Sequence, residues 1–289
     1  MGYFSAPVNR ISDTRIYVSH SPDQRDEQIV LYSNVIDNDM PDNFMILPVP
    51  FPETVRLYPH RHGSLFLDSL EDCFAPFDER RRRFRHSPPV TPPYENDQAN
   101  YRVEEIVPMQ EFLRSNLYND YLPAHVMNEM REIYHEPFWG VMLVRIPTGN
   151  YRYNPLIYTH RMIPHQMFAP TFQFIPRTTL HQRIPDEIHW DHKLFINGTN
   201  RTQHQDQEVN AGLLRHVPWD ILPRPFQGAL RHLILRRLLG RGMNRDHWFE
   251  VRSPFDNSWE ERRIVPPAFW EPPPYENLHP SRYGRLFMD

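Results

Sequence analysis

The stretch from residue 138 to residue 196 constrains the fold most, because it holds four apolar segments with the composition of strands. Its first and last segments, 138–146 and 188–196, are rich in aromatic and β-branched residues. Two further candidate strands, 151–160 and 167–175, lie between them with prolines at their margins. We therefore expect one sheet built from these segments. Its expected core positions are Trp139, Val141, Leu143, Trp190, Leu194 and Ile196.

Composition sets the class of protein. The chain has 289 residues, of which 39% are hydrophobic and 24% charged, enough for the core of one large or two small domains. It has no apolar run of about 18 residues and no secretory signal pattern at its start, so we expect neither a membrane span nor secretion. Its single cysteine, Cys73, fits a reducing compartment. The expected location is therefore the cytoplasm. The net charge of −4 gives no case for nucleic-acid binding.

The upstream half contains the pattern of a hairpin followed by short helices. Residues 28–35 and 44–50 predict two strands joined by polar turn residues, with Pro48 and Pro50 ending the second strand or placing it at a sheet edge. Further segments predict a strand at 14–18, a helix at 65–74, a strand at 101–107 and helices at 109–117 and 124–135. The spacing of apolar residues makes 225–239 the strongest predicted helix of the chain.

Proline-rich extensions complete the expected architecture. Proline occurs 31 times against 10 glycines, which favours stiff, extended connections. Residues 76–98 combine an arginine run with five prolines and predict an insert without regular structure. We expect a single domain over 1–242 and an extended aromatic and proline-rich arm over 243–289, docked on a protein surface. The expected anchors of that arm are Trp248, Phe249, Trp259, Phe269, Trp270, Pro272, Pro273 and Tyr275.

Several of these blocks, in this order, resemble a poorly characterised family of proteins from protists, bacteria and large DNA viruses. The blocks are Y-S-N at 32–34, M-I-L-P-V-P at 45–50, C-F at 73–74, the strand pattern 101–108, W-G-V at 139–141, P-L-I-Y-T-H at 155–160, M-F-A-P-T at 167–171 and H-W-D-H at 189–192. The resemblance covers about 28–196 and implies a shared fold, with no established activity. Relatives tend to carry an H-x-H-like pair after the Pro-Thr, where this chain has 172–175 without histidine.

Two alternatives involve named side chains. The cluster His160, His189, Asp191 and His192 is a candidate for a metal-dependent or hydrolase-like enzyme, with Asp191 and His192 as an acid/base pair. Residues 189 and 192 should face opposite sides of a strand, which opposes a shared metal. Separately, Pro272 to Tyr275 matches the Pro-Pro-x-Tyr pattern that aromatic-lined host modules bind, which would make the chain an adaptor.

We interpret the sequence as an α+β protein with a mostly antiparallel sheet, a few helices and proline-rich extended arms. The leading function is a non-enzymatic structural or assembly protein, specifically a minor capsid or virion component of a large DNA virus, with other proteins of that assembly as its partners. No nucleotide-binding or nucleophile-elbow signature is present in the sequence, and no cofactor is expected.

The purified protein is expected to hold no stoichiometric transition metal, because 172–175 lacks a histidine pair and positions 189 and 192 should face apart. Elemental analysis of the purified chain measures this directly. About one zinc or iron per chain, lost in a His192→Ala variant, would contradict the expectation.

Overall fold

The computed structural model describes residues 2–21, 26–59, 63–74, 98–115, 118, 121–162, 166–170, 191–198, 209–229, 232–239, 247–251 and 259–263. Fifteen strands and four α-helices lie within these residues. The strands are β1 (Tyr3–Phe4), β2 (Arg10–His20), β3 (Glu27–Asn38), β4 (Asn43–Pro50), β5 (Arg56–Tyr58), β6 (Gln98–Asn100), β7 (Arg102–Pro108), β8 (Trp139–Ile146), β9 (Gly149–Asn154), β10 (Leu156–Arg161), β11 (Gln166–Ala169), β12 (Asp191–Gly198), β13 (His232–Leu239), β14 (His247–Val251) and β15 (Trp259–Arg263). The helices are α1 (Gly63–Asp72), α2 (Met109–Arg114), α3 (Ala124–Ile133) and α4 (Ala211–Leu214).

The strands form three sheets. The large sheet has eight strands in the order β13-β12-β2-β3-β10-β5, with β9 also pairing to β3 and β6 pairing to β9. A four-stranded sheet has the order β1-β4-β8-β7, and a three-stranded sheet has the order β11-β14-β15. Pairing is antiparallel except between β12 and β2 and between β6 and β9. The predicted α+β class with mostly antiparallel sheets is confirmed.

The two larger sheets pack face to face and are covered by helices on their outer sides. Even-numbered residues of the central strands, such as Val18, Val30 and Tyr158, meet residues of β4 and β8 in the core between the sheets. Odd-numbered residues of the same strands pack against α1 in a second core. A third core lies between the four-stranded sheet and helices α2 and α3. The central strands are therefore buried on both faces, which explains their nearly continuous apolar runs.

Local predictions in the first 135 residues are largely confirmed. The predicted strand at 14–18 lies within β2, and the strand at 101–107 corresponds to β7. The three short helices predicted at 65–74, 109–117 and 124–135 correspond to α1, α2 and α3. Cys73 is buried at the end of α1, as expected for a small apolar side chain. The predicted insert at 76–98 lies outside the described residues, apart from Gln98 at the start of β6.

The predicted hairpin of β3 and β4 is wrong. β3 pairs with β2, β9 and β10 in the large sheet, whereas β4 pairs with β1 and β8 in the four-stranded sheet. The connection crosses between sheets and is held by Asn38, whose Nδ2 donates to the Ile146 carbonyl oxygen at 3.2 Å, and by Asn43, whose Nδ2 donates to Asn38 Oδ1 at 3.0 Å. β1 pairs only with Met45 and Ile46 of β4. Pro48 and Pro50 lie beyond this pairing, so on that side of β4 no backbone N–H is needed at either proline.

The expectation of one sheet over 138–196 is also wrong. β8 lies in the four-stranded sheet, β9, β10 and β12 lie in the large sheet, and β11 lies in the three-stranded sheet. All expected core positions that the structure describes are nevertheless buried, Trp139, Val141 and Leu143 in one sheet and Leu194 and Ile196 in another. Trp190 lies outside the described residues. An apolar run buried on both faces carries no alternation that could identify its neighbour.

The helix predicted at 225–239 is wrong as well. A 3-10 turn covers Arg224–Phe226, and His232–Leu239 is the strand β13, paired antiparallel to β12 from end to end. Leu233 and Leu235, two residues apart, are both buried on the face of the sheet that α1 covers. Consecutive leucines satisfy both a helical and a strand pattern over so short a run, and the long partner strand β12 decides between them.

The arm predicted over 243–289 contains a hairpin rather than only an extended path. β14 is the middle strand of its sheet, between β11 and β15. The five residues of β14 contain no proline, so every amide is available for pairing. Pairing with β11 attaches the hairpin to this chain, with Trp248 opposite Phe168 and Phe249 opposite Met167.

Truncating Leu143 to alanine is expected to lower the free energy of unfolding by about 2–5 kcal/mol, because the side chain is only 2% exposed and packs against α2 and α3. Denaturant unfolding followed by circular dichroism measures the loss. Leu57→Ala, at a leucine that is 46% exposed, is the matched control and should cost well under 1 kcal/mol. Equal losses in the two variants would place Leu143 outside the core.

Candidate functional site

His160 lies on β10 in a cross-strand row that also contains His20 and Gln28. Gln28 of β3 is the register partner of His20 on one side and of His160 on the other. Directly opposed residues of neighbouring strands point to the same face of a sheet, here the face toward the core between the two sheets. The large sheet therefore brings together two histidines that are 140 positions apart in the sequence.

The two imidazoles of this row have the same tautomer and the same unsatisfied atom. Nδ1 of His20 lies 3.2 Å from the Ser21 carbonyl oxygen, and Nδ1 of His160 lies 2.8 Å from the Arg161 carbonyl oxygen. A carbonyl oxygen only accepts, so each Nδ1 carries the proton and each Nε2 is a bare acceptor. Both Nε2 atoms are buried without a hydrogen-bond partner among the residues that the structure describes.

Burial controls the protonation of both rings. Desolvation lowers the pKa of His160 to about 4, against a weaker opposing effect of its contact with the Arg161 carbonyl. Desolvation also lowers the pKa of His20, for the same physical reason. The Tyr158 ring stacks on His160 with centroids 5.9 Å apart. Both histidines are therefore neutral near pH 7, and among the described residues neither pairs with a carboxylate that would make it part of an acid/base pair.

Gln28, between the histidines, holds the strand β11. The Phe168 amide donates to Gln28 Oε1 at 2.8 Å, and Gln28 Nε2 donates to the Phe168 carbonyl oxygen. The side-chain amide thus pairs with a peptide group as a neighbouring strand would. On the other side of β11, the Phe168 ring packs edge-on against Trp139 at 5.1 Å.

The structure does not bring His160 together with Asp191 and His192. His192 on β12 lies opposite Thr14 of β2, whereas the row of His160 crosses β2 at His20. Three strand spacings separate β12 from β10, and six residues separate the two rows along β2. Strand geometry makes this about 14 Å across the sheet and about 20 Å along it. His189 and the side chains of Asp191 and His192 lie outside the described residues.

Next to the predicted cluster, the structure contains an ionic cluster that sequence analysis missed. Asp13 occupies a left-handed backbone conformation, φ 49°, at an irregularity of β2 between Ser12 and Arg15. Its carboxylate lies 3.7 Å from Arg15 Nε, 3.1 Å from Arg152 Nη2 and 3.3 Å from Lys193 Nζ. Three cations therefore converge on one carboxylate, which supports a backbone conformation that aspartate tolerates better than most residues.

Helix α1 supplies the remaining carboxylates of the ionic cluster. Asp68 accepts from Arg15 Nη1 and Glu71, three residues later on the same helical face, accepts from Lys193 Nζ. Arg15 is 2% exposed. Burial lowers the pKa of Arg15, but Asp13, Asp68 and Glu71 more than offset this and raise the pKa above its ordinary value. The ionic cluster fastens α1 to the sheet, and Lys193, the single lysine of the chain, was its only conspicuous signal in the sequence.

No group of three or more His, Cys, Asp or Glu side chains suited to a metal ion occurs in the part of the chain that the structure describes. Within the same residues, no helix is long and apolar enough to cross a membrane. Of the predicted interface residues, Trp248 and Phe249 lie on β14 and Trp259 on β15, with side chains outside the description. Phe269, Trp270, Pro272, Pro273 and Tyr275 also lie outside the described residues.

Comparisons with known proteins give structural neighbours alone. No protein-family model matches the chain, and no curated protein matches it. The crystal structure of baculovirus P35 aligns over 88% of this chain and 85% of its own, with 11% identity and a TM-score of 0.41. Two crystal structures of mutated baculovirus P35 after caspase cleavage align with TM-scores of 0.35 and 0.34 at 9% and 11% identity, covering 88% and 67% of this chain and 88% and 69% of theirs. Likeness at this level assigns neither fold family nor function.

Replacing Asp68 with asparagine is expected to lower the free energy of unfolding by about 1.5–3 kcal/mol, because it leaves the buried Arg15 guanidinium without its charged acceptor. Thermal or denaturant unfolding measures the change. Asp72→Asn, at an exposed carboxylate on the same helix, is the matched control and should be neutral or slightly stabilising because a negative charge at a helix C-terminus is unfavourable. Similar values for both variants would show that the ionic cluster contributes no net stability.

Proposed function

We propose that this chain is a non-enzymatic structural or assembly protein, specifically a minor capsid or virion component of a large DNA virus. The supporting observation is the separation of the candidate catalytic residues. His160 belongs to a buried row about 24 Å from the β12 positions of Asp191 and His192, by the strand geometry given above. General acid/base chemistry requires the participating groups within hydrogen-bond reach of one substrate.

The known contacts of the polar residues support the same proposal. Gln28 docks β11, His160 binds the Arg161 carbonyl oxygen on its own strand, and Lys193, Asp13 and Glu71 dock α1. These groups hold elements of the chain together, as expected in a protein whose task is to present a stable surface. The sequence blocks resemble a family that has viral members. This resemblance supports the more specific proposal of a virion component.

The contact with other proteins is assigned to the segment 264–289, after β15. It contains Phe269, Trp270, Pro272, Pro273 and Tyr275, while the hairpin upstream already pairs with β11 of its own chain. Aromatic side chains carry a large share of the binding energy at protein interfaces. Stiff proline-rich sequence lowers the conformational entropy lost when such a segment is ordered.

Replacing Phe269 and Trp270 together with alanine is expected to reduce incorporation into assembled particles at least tenfold, because loss of interface aromatics costs about 2 kcal/mol or more. Quantitative mass spectrometry of gradient-purified particles, relative to a major particle protein, measures incorporation. Tyr283→Ala in the same segment is the matched control and should be incorporated normally.

Three outcomes would count against this proposal. The first is that the wild-type chain is absent from purified particles. The second is that the double variant is incorporated normally, and the third is that Tyr283→Ala reduces incorporation as severely as the double variant. Selective failure of Tyr275→Ala, with Phe269 and Trp270 dispensable, would instead support an adaptor that binds a host module through Pro272 to Tyr275. Normal circular dichroism of each variant is required so that misfolding is not read as lost contact.

A further inference from the structure

The row of His20, Gln28 and His160 lies where β11 attaches to the body of the protein. β11 has four residues, and Gln28 bonds both the amide and the carbonyl of Phe168 at its centre. β14 pairs with β11 and β15 pairs with β14, so this attachment carries the three-stranded sheet. Met167 and Ala169 of β11 face the core between the larger sheets, and Phe168 packs into the core under α2 and α3.

The two histidines flank this attachment. Among the described residues, neither has an acceptor for the Nε2–H group that a second proton would create. Each Nδ1 already donates to a carbonyl oxygen, so a second proton would add at Nε2. Both Nε2 atoms are buried with no partner among the described residues, and His20 and His160 are 2% and 1% exposed. Protonation would therefore place an unpaired buried charge on either side of Gln28, which is costly in a dry interior.

The surroundings offer little that could neutralise these charges. On β11 no residue is titratable, and the buried polar residues of β3 and β4 are the uncharged Gln28, Ser33, Asn34, Asn38 and Asn43. Asp26 and Glu27 precede Gln28, Glu53 is 64% exposed and lies 4.0 Å from the Arg161 guanidinium, and Tyr158 stacks on His160. On β14 the titratable positions are His247, opposite Ala169, and Glu250, opposite Gln166.

We propose that the three-stranded sheet is a pH-operated flap, docked while His20 and His160 are neutral and released when they are protonated. Undocking of β11 lets water reach both imidazoles. The open state therefore binds protons at a higher pH than the docked state does. Release uncovers Met167, Phe168 and Ala169 of β11 and, on the body, Trp139 and the histidine row. The hairpin β14–β15 moves with β11 because the two share a backbone ladder.

The sign of the pH dependence of docking follows from the direction in which burial shifts the pKa of the histidines. Burial lowers the pKa of His160 from an ordinary value of 6.5 to about 4, so the docked state is fully favoured above about pH 6.5 and loses its advantage as the pH falls toward 4. For His160 alone, the opening equilibrium should rise roughly thirtyfold between about pH 7.5 and about pH 5. His20, whose pKa is lowered by the same cause, adds to this change.

Hydrogen exchange measured by mass spectrometry on the full chain tests the flap. After correction for the intrinsic pH dependence of exchange, amides of β11 and β14 should lose protection roughly thirtyfold or more at about pH 5, while amides of β4 and β8 keep theirs. The double variant His20→Met, His160→Met should abolish the pH dependence of β11 and β14. His135→Met, His216→Met, at two exposed histidines, is the matched control and should retain it.

The proposal fails if β11 keeps its protection at about pH 5, if β4 and β8 open together with it, or if the double variant retains the pH dependence. The single variants His20→Met and His160→Met serve if the double variant does not fold, and each should remove part of the pH dependence. Because exchange is measured on the isolated chain, these results are independent of particle incorporation.

Discussion

Burial of the large sheet on both faces is the constraint on which the rest of the structure depends. One face meets the four-stranded sheet and the other meets α1. A polar side chain on β2, β3, β10 or β12 is therefore shielded from water and needs a hydrogen-bond partner within the protein. Asn197 meets this need by donating to Tyr17 Oη at 2.8 Å and to the Gly228 carbonyl oxygen at 3.1 Å. Ser33 meets it by donating to the Tyr153 carbonyl oxygen at 2.8 Å. Asn197 and Ser33 therefore each fix particular neighbours, whereas Nε2 of His20 and Nε2 of His160 have no hydrogen-bond partner among the described residues.

The same constraint explains which parts of the fold sequence analysis could predict. Short amphipathic helices and the strand β7 keep one exposed face, so their periodicity is visible and they were predicted near their observed positions. β3, β4 and β8 are apolar on both faces, so they were recognised as strands but assigned to the wrong neighbours. β13 was predicted as a helix because a run of leucines and arginines lacks strand alternation, and its state is decided by β12, more than 30 residues earlier.

The candidate sites were predictable only as far as their residues are close in sequence. His160 was singled out, but its actual neighbours, His20 and Gln28, come from strands whose register is set by tertiary pairing. Asp191 and His192 are sequence neighbours of Lys193, yet the ionic cluster forms around Asp13, about 180 positions away. Unpaired Nε2 atoms and a left-handed aspartate are properties of the folded chain and leave no mark in the pattern of residue types.

Lys193 gives the ionic cluster an experimental use. It carries the only side-chain amine of the 289 residues, and that amine is held between Asp13 and Glu71. Only the uncharged amine attacks an acylating reagent, so the Lys193 ammonium must first leave both carboxylates and lose a proton. The rate of acylation at this one position would therefore report how often the Lys193 amine leaves its two carboxylate partners. After digestion, the mass increment on the peptide that contains Lys193 therefore measures a local motion without any engineered label.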